Sequence, residues 1–139
     1  MAQVNVDLMI GDWVIDTEFG RNETDRVECI EPKRVWLRNG KLYTPIEFIK
    51  PIPLTAEILE KNGLEHKHAG EPIKRQYWIV RTNGGSIRAK INGGIPLVDI
   101  IGMPVKEGLI CPLFSAHIQY VHQLQHALRL CGIEKEIII

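Results

Sequence analysis

Arg75-Gln76-Tyr77-Trp78-Ile79-Val80-Arg81-Thr82-Asn83-Gly84-Gly85-Ser86-Ile87-Arg88-Ala89-Lys90-Ile91-Asn92 reads as two strands around a glycine turn. Large and β-branched residues alternate with basic or small ones on both sides of the turn, the period of a half-buried strand. A two-residue turn at Asn83-Gly84 places Val80 opposite Ile87 and Trp78 opposite Ala89. A turn at Gly84-Gly85 places Val80 opposite Ala89 and Trp78 opposite Ile91. Either register keeps Trp78, Val80, Ile87, Ala89 and Ile91 on one face. The other face then carries Arg75, Tyr77, Ile79, Arg81, Arg88 and Lys90.

Charge marks the same region. Pro72 to Val98 is a 27-residue window with five basic side chains and no acidic one, whereas the remaining chain holds 12 basic and 17 acidic residues. The formal net charge of zero is therefore a sum of opposites. Met1 to Glu31 holds eight acids against two bases, and Lys33 to Lys50 holds five bases against Glu47 alone. Such neutrality argues against a general nucleic-acid coat, whose affinity rests on many phosphate contacts. A local cationic face suits a small anionic partner.

That face has the parts of a nucleotide site. Guanidinium groups bind phosphate oxygens in bidentate fashion, and a tyrosine ring offers a base a stacking surface. Like charges beside one another, as at Arg81 and Arg88, would be relieved by an anion between them. Arg75, Tyr77, Arg81, Arg88 and Lys90 are the candidate ligand residues.

Upstream, short strands separated by turns fill the first 54 residues. Leu8-Met9-Ile10-Gly11-Asp12-Trp13-Val14 is an apolar entry, a turn and a strand start. Arg26–Ile30, Arg34–Arg38 and Lys41–Thr44 follow, with Asn39-Gly40 as a hairpin signal between the last two. Pro45-Ile46-Glu47-Phe48 has the form of a short turn before a closing strand, Ile49–Pro53. Five such strands suggest a small barrel. The Leu-x-x-Gly-Asp-x-Val start and this ending resemble a Src-homology-3-like (SH3-like) or Tudor-like barrel.

Downstream of the barrel, Thr55 caps a helix from Ala56 to Asn62, which Gly63 ends. Leu64 to Glu71 is polar and reads as a linker. After the hairpin come an apolar run (Ile95–Ile101), a loop rich in Gly and Pro, and a helix with Ser115 as N-cap and Gly132 as stop. Ile118, Val121, Leu124, Gln125, Leu128 and Cys131 mark its stripe. Glu134–Ile139 reads as a final strand, whose three isoleucines need a sheet or a partner and open a route to a homo-oligomer. The expected fold is α+β: a barrel at 1–54, a linker helix and loop at 55–71, and a hairpin–strand–helix–strand unit at 72–139.

Catalytic patterns are weak. His122-Gln123-Leu124-Gln125-His126 has zincin spacing, but Gln123 stands where the general-base glutamate belongs. A zinc-dependent hydrolase on His122 and His126, with His117 or Glu134 as a further ligand, is one alternative. Cys29, Cys111 and Cys131 are odd in number and lack a C-x-x-C pattern, which fits free thiols in a reducing cytoplasm. His66 and His68 read as solvated. No nucleophile elbow or phosphate loop is present. No cofactor is indicated, and the residues weigh against an enzyme. No apolar run approaches about 18 residues, so no spanning helix is expected. A protein-interaction module acting through Trp13, Trp36 and the Ile137-Ile138-Ile139 tail is a second alternative.

Pro51-Ile52-Pro53-Leu54-Thr55-Ala56-Glu57-Ile58-Leu59-Glu60-Lys61-Asn62-Gly63 and Tyr120-Val121-His122-Gln123-Leu124-Gln125, with Gly11-Asp12-Trp13-Val14, resemble an uncharacterised group of short proteins from Bacteroidales bacteria, their phages and mobile elements. The resemblance carries over no catalytic residue. It implies a small accessory protein of the bacterial cytoplasm, and for a phage an anti-defence role. Sequestering a nucleotide immune signal, a cyclic dinucleotide or a cyclic ADP-ribose derivative, would need only a cationic, aromatic surface.

Overall fold

A computed structural model of the chain describes residues 7–68, 76–82, 84–91, 94–102 and 111–139. Its described regular structure is mixed: two five-stranded antiparallel sheets and two α-helices. The chain divides into two compact units, Met1–Pro53 with Tyr120–His122, and Leu54–Gln119 with Gln123–Ile139. No helix among the described residues is long and apolar enough to cross a membrane.

The first unit carries β1 (Trp13–Asp16), β2 (Glu23–Glu31), β3 (Arg34–Leu37), β4 (Thr44–Pro45) and β5 (Ile49–Pro51) in the order β4-β3-β2-β1-β5. Alternation puts Val14, Val27, Val35, Leu37 and Ile49 into one core, with Leu8 and Ile46 against it. Each such burial is worth about 1.5–3 kcal/mol. Gly11 has a positive φ of 92° and donates its N–H to the Val27 carbonyl at 2.7 Å, closing the entry turn. A 3-10 turn, Ile46–Phe48, precedes β5 at the place of the expected short turn.

One strand is shorter than expected. Val35 pairs with Thr44 and Arg34 with Pro45, the register that an Asn39-Gly40 turn implies. The ladder stops there, so Lys41–Tyr43 is not strand. Asp25 draws the tip aside by accepting from the Asn39 backbone at 3.0 Å and side-chain amide at 3.2 Å.

The second unit opens with α1 (Ala56–Lys61), capped as expected by Thr55, whose Oγ1 accepts from Ile58 N at 3.3 Å. Gly63, at φ 87°, ends it. The following residues depart from the linker reading: Glu65–His68 is strand β6, paired with β7 (Gln76–Thr82). An edge strand needs only one neighbour and tolerates charge, so it shows no apolar alternation.

β7 and β8 (Gly85–Lys90) pair Trp78 with Ala89, Val80 with Ile87 and Thr82 with Gly85, which selects the Asn83-Gly84 register; Asn83 itself lies outside the described residues. Gly85 belongs to the strand because β9 (Leu97–Gly102) passes close beside it. A Cβ there would sit 2.0 Å from the Ile101 carbonyl oxygen, and its φ is 148°. β10 (Cys111–His117) completes the order β10-β9-β8-β7-β6. Ser115 therefore lies in a strand opposite Asp99 and is not the helix cap. The helix, α2, runs later, Val121–Leu130. Gly132 (φ 69°) ends it as expected, and Ile133 N reaches back to Leu128 O at 2.9 Å.

The expected C-terminal strand does not form. Ile137 is buried, and Asn62 holds the tail in place of a neighbouring strand. Its Oδ1 accepts from Ile138 N at 2.8 Å, while its Nδ2 donates to Ile138 O at 2.7 Å.

Candidate ligand-binding face of the C-terminal sheet

Successive side chains of a strand point to opposite faces, so the register sorts this sheet. Trp78, Ile87, Ala89, Val98 and Ile100 are buried on the inner face. Trp78 donates to Glu60 of α1 at 3.1 Å and stacks on His66 with ring centroids 4.5 Å apart. His66 is exposed, as expected, but it lies in strand β6 and not in a linker, with its ring against Trp78.

The outer face is built in cross-strand rows. One row runs Lys67, Tyr77, Lys90, Leu97, His117. Tyr77 is half-buried and has a lysine directly opposite on each neighbouring strand. The next row runs Glu65, Ile79, Arg88, Asp99, Ser115. Beyond it, Arg81 is exposed and pairs with Ser86. With strands about 4.8 Å apart, the two lysine Cα atoms lie roughly 10 Å from each other across the tyrosine.

The second row is internally neutralised. Arg88 Nη2 donates to Asp99 Oδ2 at 3.1 Å, and Ser115 Oγ donates to Asp99 Oδ1 at 2.5 Å. Burial disfavours the Asp99 carboxylate. Hydrogen bonds from Ser115 and Arg88, with the charges of Arg88 and Lys90, outweigh that and hold its carboxyl below the usual range. The Arg88 Nε is shut off from solvent and has no hydrogen-bond partner among the described residues. Arg88 is thus spoken for by the sheet. Lys67 meets Glu65 at 3.1 Å, but both side chains are well exposed, where such pairs contribute about 0–1 kcal/mol.

The structure brings Tyr77 and Lys90 together, leaves Arg81 exposed toward the hairpin end, and assigns Arg88 a partner. Arg75 lies outside the described residues. Arg81 and Arg88 are not directly across from each other, so the expected repulsion between them is replaced by the Arg88–Asp99 pair. Asp99 is the first residue beyond the acid-free window. Sequence reasoning missed Lys67, because four polar residues beside Leu64 carry no strand signal by themselves.

No protein-family model, curated protein or solved structure matches this chain. The chemistry of the face stands on its own geometry.

His122 and His126 share a helix face, His122 buried and His126 half-buried. The His122 ring stacks on Tyr120 with centroids 5.9 Å apart. Among the described residues, no group of three His, Cys, Asp or Glu side chains is placed to hold a metal ion. Cys29 and Cys131 are free thiols, and burial pushes the Cys131 thiol up.

Proposed function

We propose that this protein binds a small phosphorylated ligand, without catalysis, on the outer face of its C-terminal sheet. The observation that carries the reading is the placement of Tyr77 between Lys67 and Lys90 on paired strands. The tyrosine ring stacks a base, a contact worth about 1–3 kcal/mol. The flanking ammonium groups meet phosphates on either side, and Arg81 extends the positive field toward the hairpin end. Arg88 is a positioning residue: it holds Asp99 and Ser115 and keeps the row beside Tyr77 flat and neutral. A ligand with two phosphates around a base suits this spacing, so nucleotide immune signals of cyclic dinucleotide or cyclic ADP-ribose type are the class to test. Sequestration of such a signal in a bacterial host, as an anti-defence activity of a phage protein, follows from the resemblance to short Bacteroidales and phage proteins.

For the first unit, the strand order and the 3-10 turn before β5 support the SH3-like barrel reading.

Isothermal calorimetry of the full chain against cyclic dinucleotides, cyclic ADP-ribose and linear mononucleotides tests the proposal. Binding tighter than about 10 µM to one member is expected. Tyr77→Ala and the Lys67→Ala/Lys90→Ala pair each weaken it at least about tenfold. Absence of binding across the panel, or affinity indifferent to both variants, sinks the reading.

A further inference from the structure

The outer row that carries Lys67, Tyr77 and Lys90 does not end at Lys90. It continues across β9 and β10, because Lys90 pairs with Leu97 and Leu97 pairs with His117. Burial alternates along β9 from half-buried Leu97 to buried Val98, half-buried Asp99 and buried Ile100. Leu97 therefore shares the outer face with Asp99, while Val98 and Ile100 fill the core. His117, at the end of the row, is exposed.

The row has two parts of different chemistry. A cation, a ring and a cation (Lys67, Tyr77, Lys90) are followed by an apolar side chain and an imidazole (Leu97, His117). It contains no carboxylate. Asp99, two residues along β9 from Leu97, is already held by Arg88 and Ser115. The whole row is therefore compatible with an anion, and its charge is densest on the Tyr77 side.

Spacing decides how long a ligand fits. With strands about 4.8 Å apart, the Cα atoms of Tyr77 and Leu97 lie roughly 10 Å from each other, with Lys90 midway, and the full row spans about 19 Å. One base with a phosphate on either side is satisfied by Lys67, Tyr77 and Lys90, and leaves Leu97 and His117 unused. A second base reaches them. Histidine rings and apolar side chains are regular partners of an unstacked base. Resting on the ligand reading above, we infer that the ligand is a dinucleotide and that Leu97 and His117 seat its second base. The first base stacks on Tyr77, and the phosphate joining the two nucleosides meets Lys90. Leu97 is the floor under the second base, and the His117 imidazole bounds it at the sheet edge.

The test is calorimetry of the full chain with two matched sets of probes. One set is the 5′-phosphorylated ribodinucleotides, linear and cyclised. The other is the nucleoside 3′,5′-bisphosphates, which carry as many phosphates but only one base. At least one dinucleotide should bind about tenfold or more tighter than its bisphosphate. His117→Ala and Leu97→Ser should each weaken the dinucleotide at least about threefold and leave the bisphosphate within about twofold, whereas Tyr77→Ala should weaken both. His117 is exposed, so His117→Ala should melt with the parent and carries the test even where Leu97→Ser does not fold. A bisphosphate that binds as tightly as its dinucleotide, with dependence on Tyr77 intact, overturns this inference and leaves the one-base reading standing. A dinucleotide advantage that survives His117→Ala and Leu97→Ser overturns it as well. Absence of binding by every probe also overturns it, and the Tyr77→Ala comparison on the wider nucleotide panel decides separately whether the underlying reading falls.

Discussion

Arg88 and Asp99 face each other on adjacent strands and close an ion pair at 3.1 Å, with Ser115 completing the carboxylate's hydrogen bonds. The pair divides the basic hairpin into charges that serve the sheet and charges that are open to a ligand. Arg88→Ala should therefore act mainly on stability. It strands a half-buried carboxylate and should cost about 1–2 kcal/mol in urea unfolding. Lys90→Ala, at a half-buried position beside Tyr77, should stay within about 0.5 kcal/mol. In nucleotide titrations the order reverses, with Lys90→Ala the more damaging of the two.

The same pair sets an acid dependence. Asp99 titrates below its ordinary range in the folded state, so its ionised form is favoured by folding. Its contribution is fully present above the unfolded value of about 3.9 and is lost as pH falls through the lower folded value. Asp99→Asn should be less stable than the parent at neutral pH, and the gap should narrow as pH falls below about 4. Urea melts at several pH values check this. A gap that is constant or widens on acidification would contradict it.

Asn62 stands in for a strand. It exchanges two hydrogen bonds with Ile138 and donates from Nδ2 to Ile58 O at 2.8 Å, while itself buried. Asn62→Ala should cost about 2–3 kcal/mol, since it leaves backbone groups of the tail unpaired. In a chain lacking residues 137–139 the same substitution should cost clearly less, and that double-mutant difference measures the brace.

Gly85 is required by sheet spacing. An alanine Cβ would press on the Ile101 carbonyl from 2.0 Å, in a backbone conformation at φ 148° that L side chains rarely adopt. Gly85→Ala should cost about 3 kcal/mol or more by thermal or urea melting, in the range reserved for strained or overpacked sites. Gly20→Ala is the control: its φ is 73° but nothing lies within 4 Å, so only the smaller backbone penalty applies.

The hairpin shows how far local pattern reaches. Period-two alternation assigned Trp78, Val80, Ile87 and Ala89 to one face and Tyr77, Arg81, Arg88 and Lys90 to the other, and the paired strands obey that division. Thr55 and Gly132 were legible for the same reason, because a cap and a left-handed stop depend on the few residues around them. Two equally alternating registers were open to the sequence; the observed one pairs Thr82 with Gly85 and sets Gly85 against Gly102 of β9.

What the amino-acid sequence determined by itself is therefore local: strand faces, helix ends, and where positive charge is concentrated along the chain. Tertiary structure alone decided which of those charges are open. It set Asp99 beside Arg88, recruited the polar segment Glu65–His68 as an edge strand that brings Lys67 to Tyr77, moved Ser115 from a helix cap into β10, and tied Ile138 to Asn62. The physical reason is common to all four. Backbone periodicity is a property of covalent neighbours, whereas charge pairing and edge recruitment depend on which strand lies alongside, at separations that no local pattern encodes.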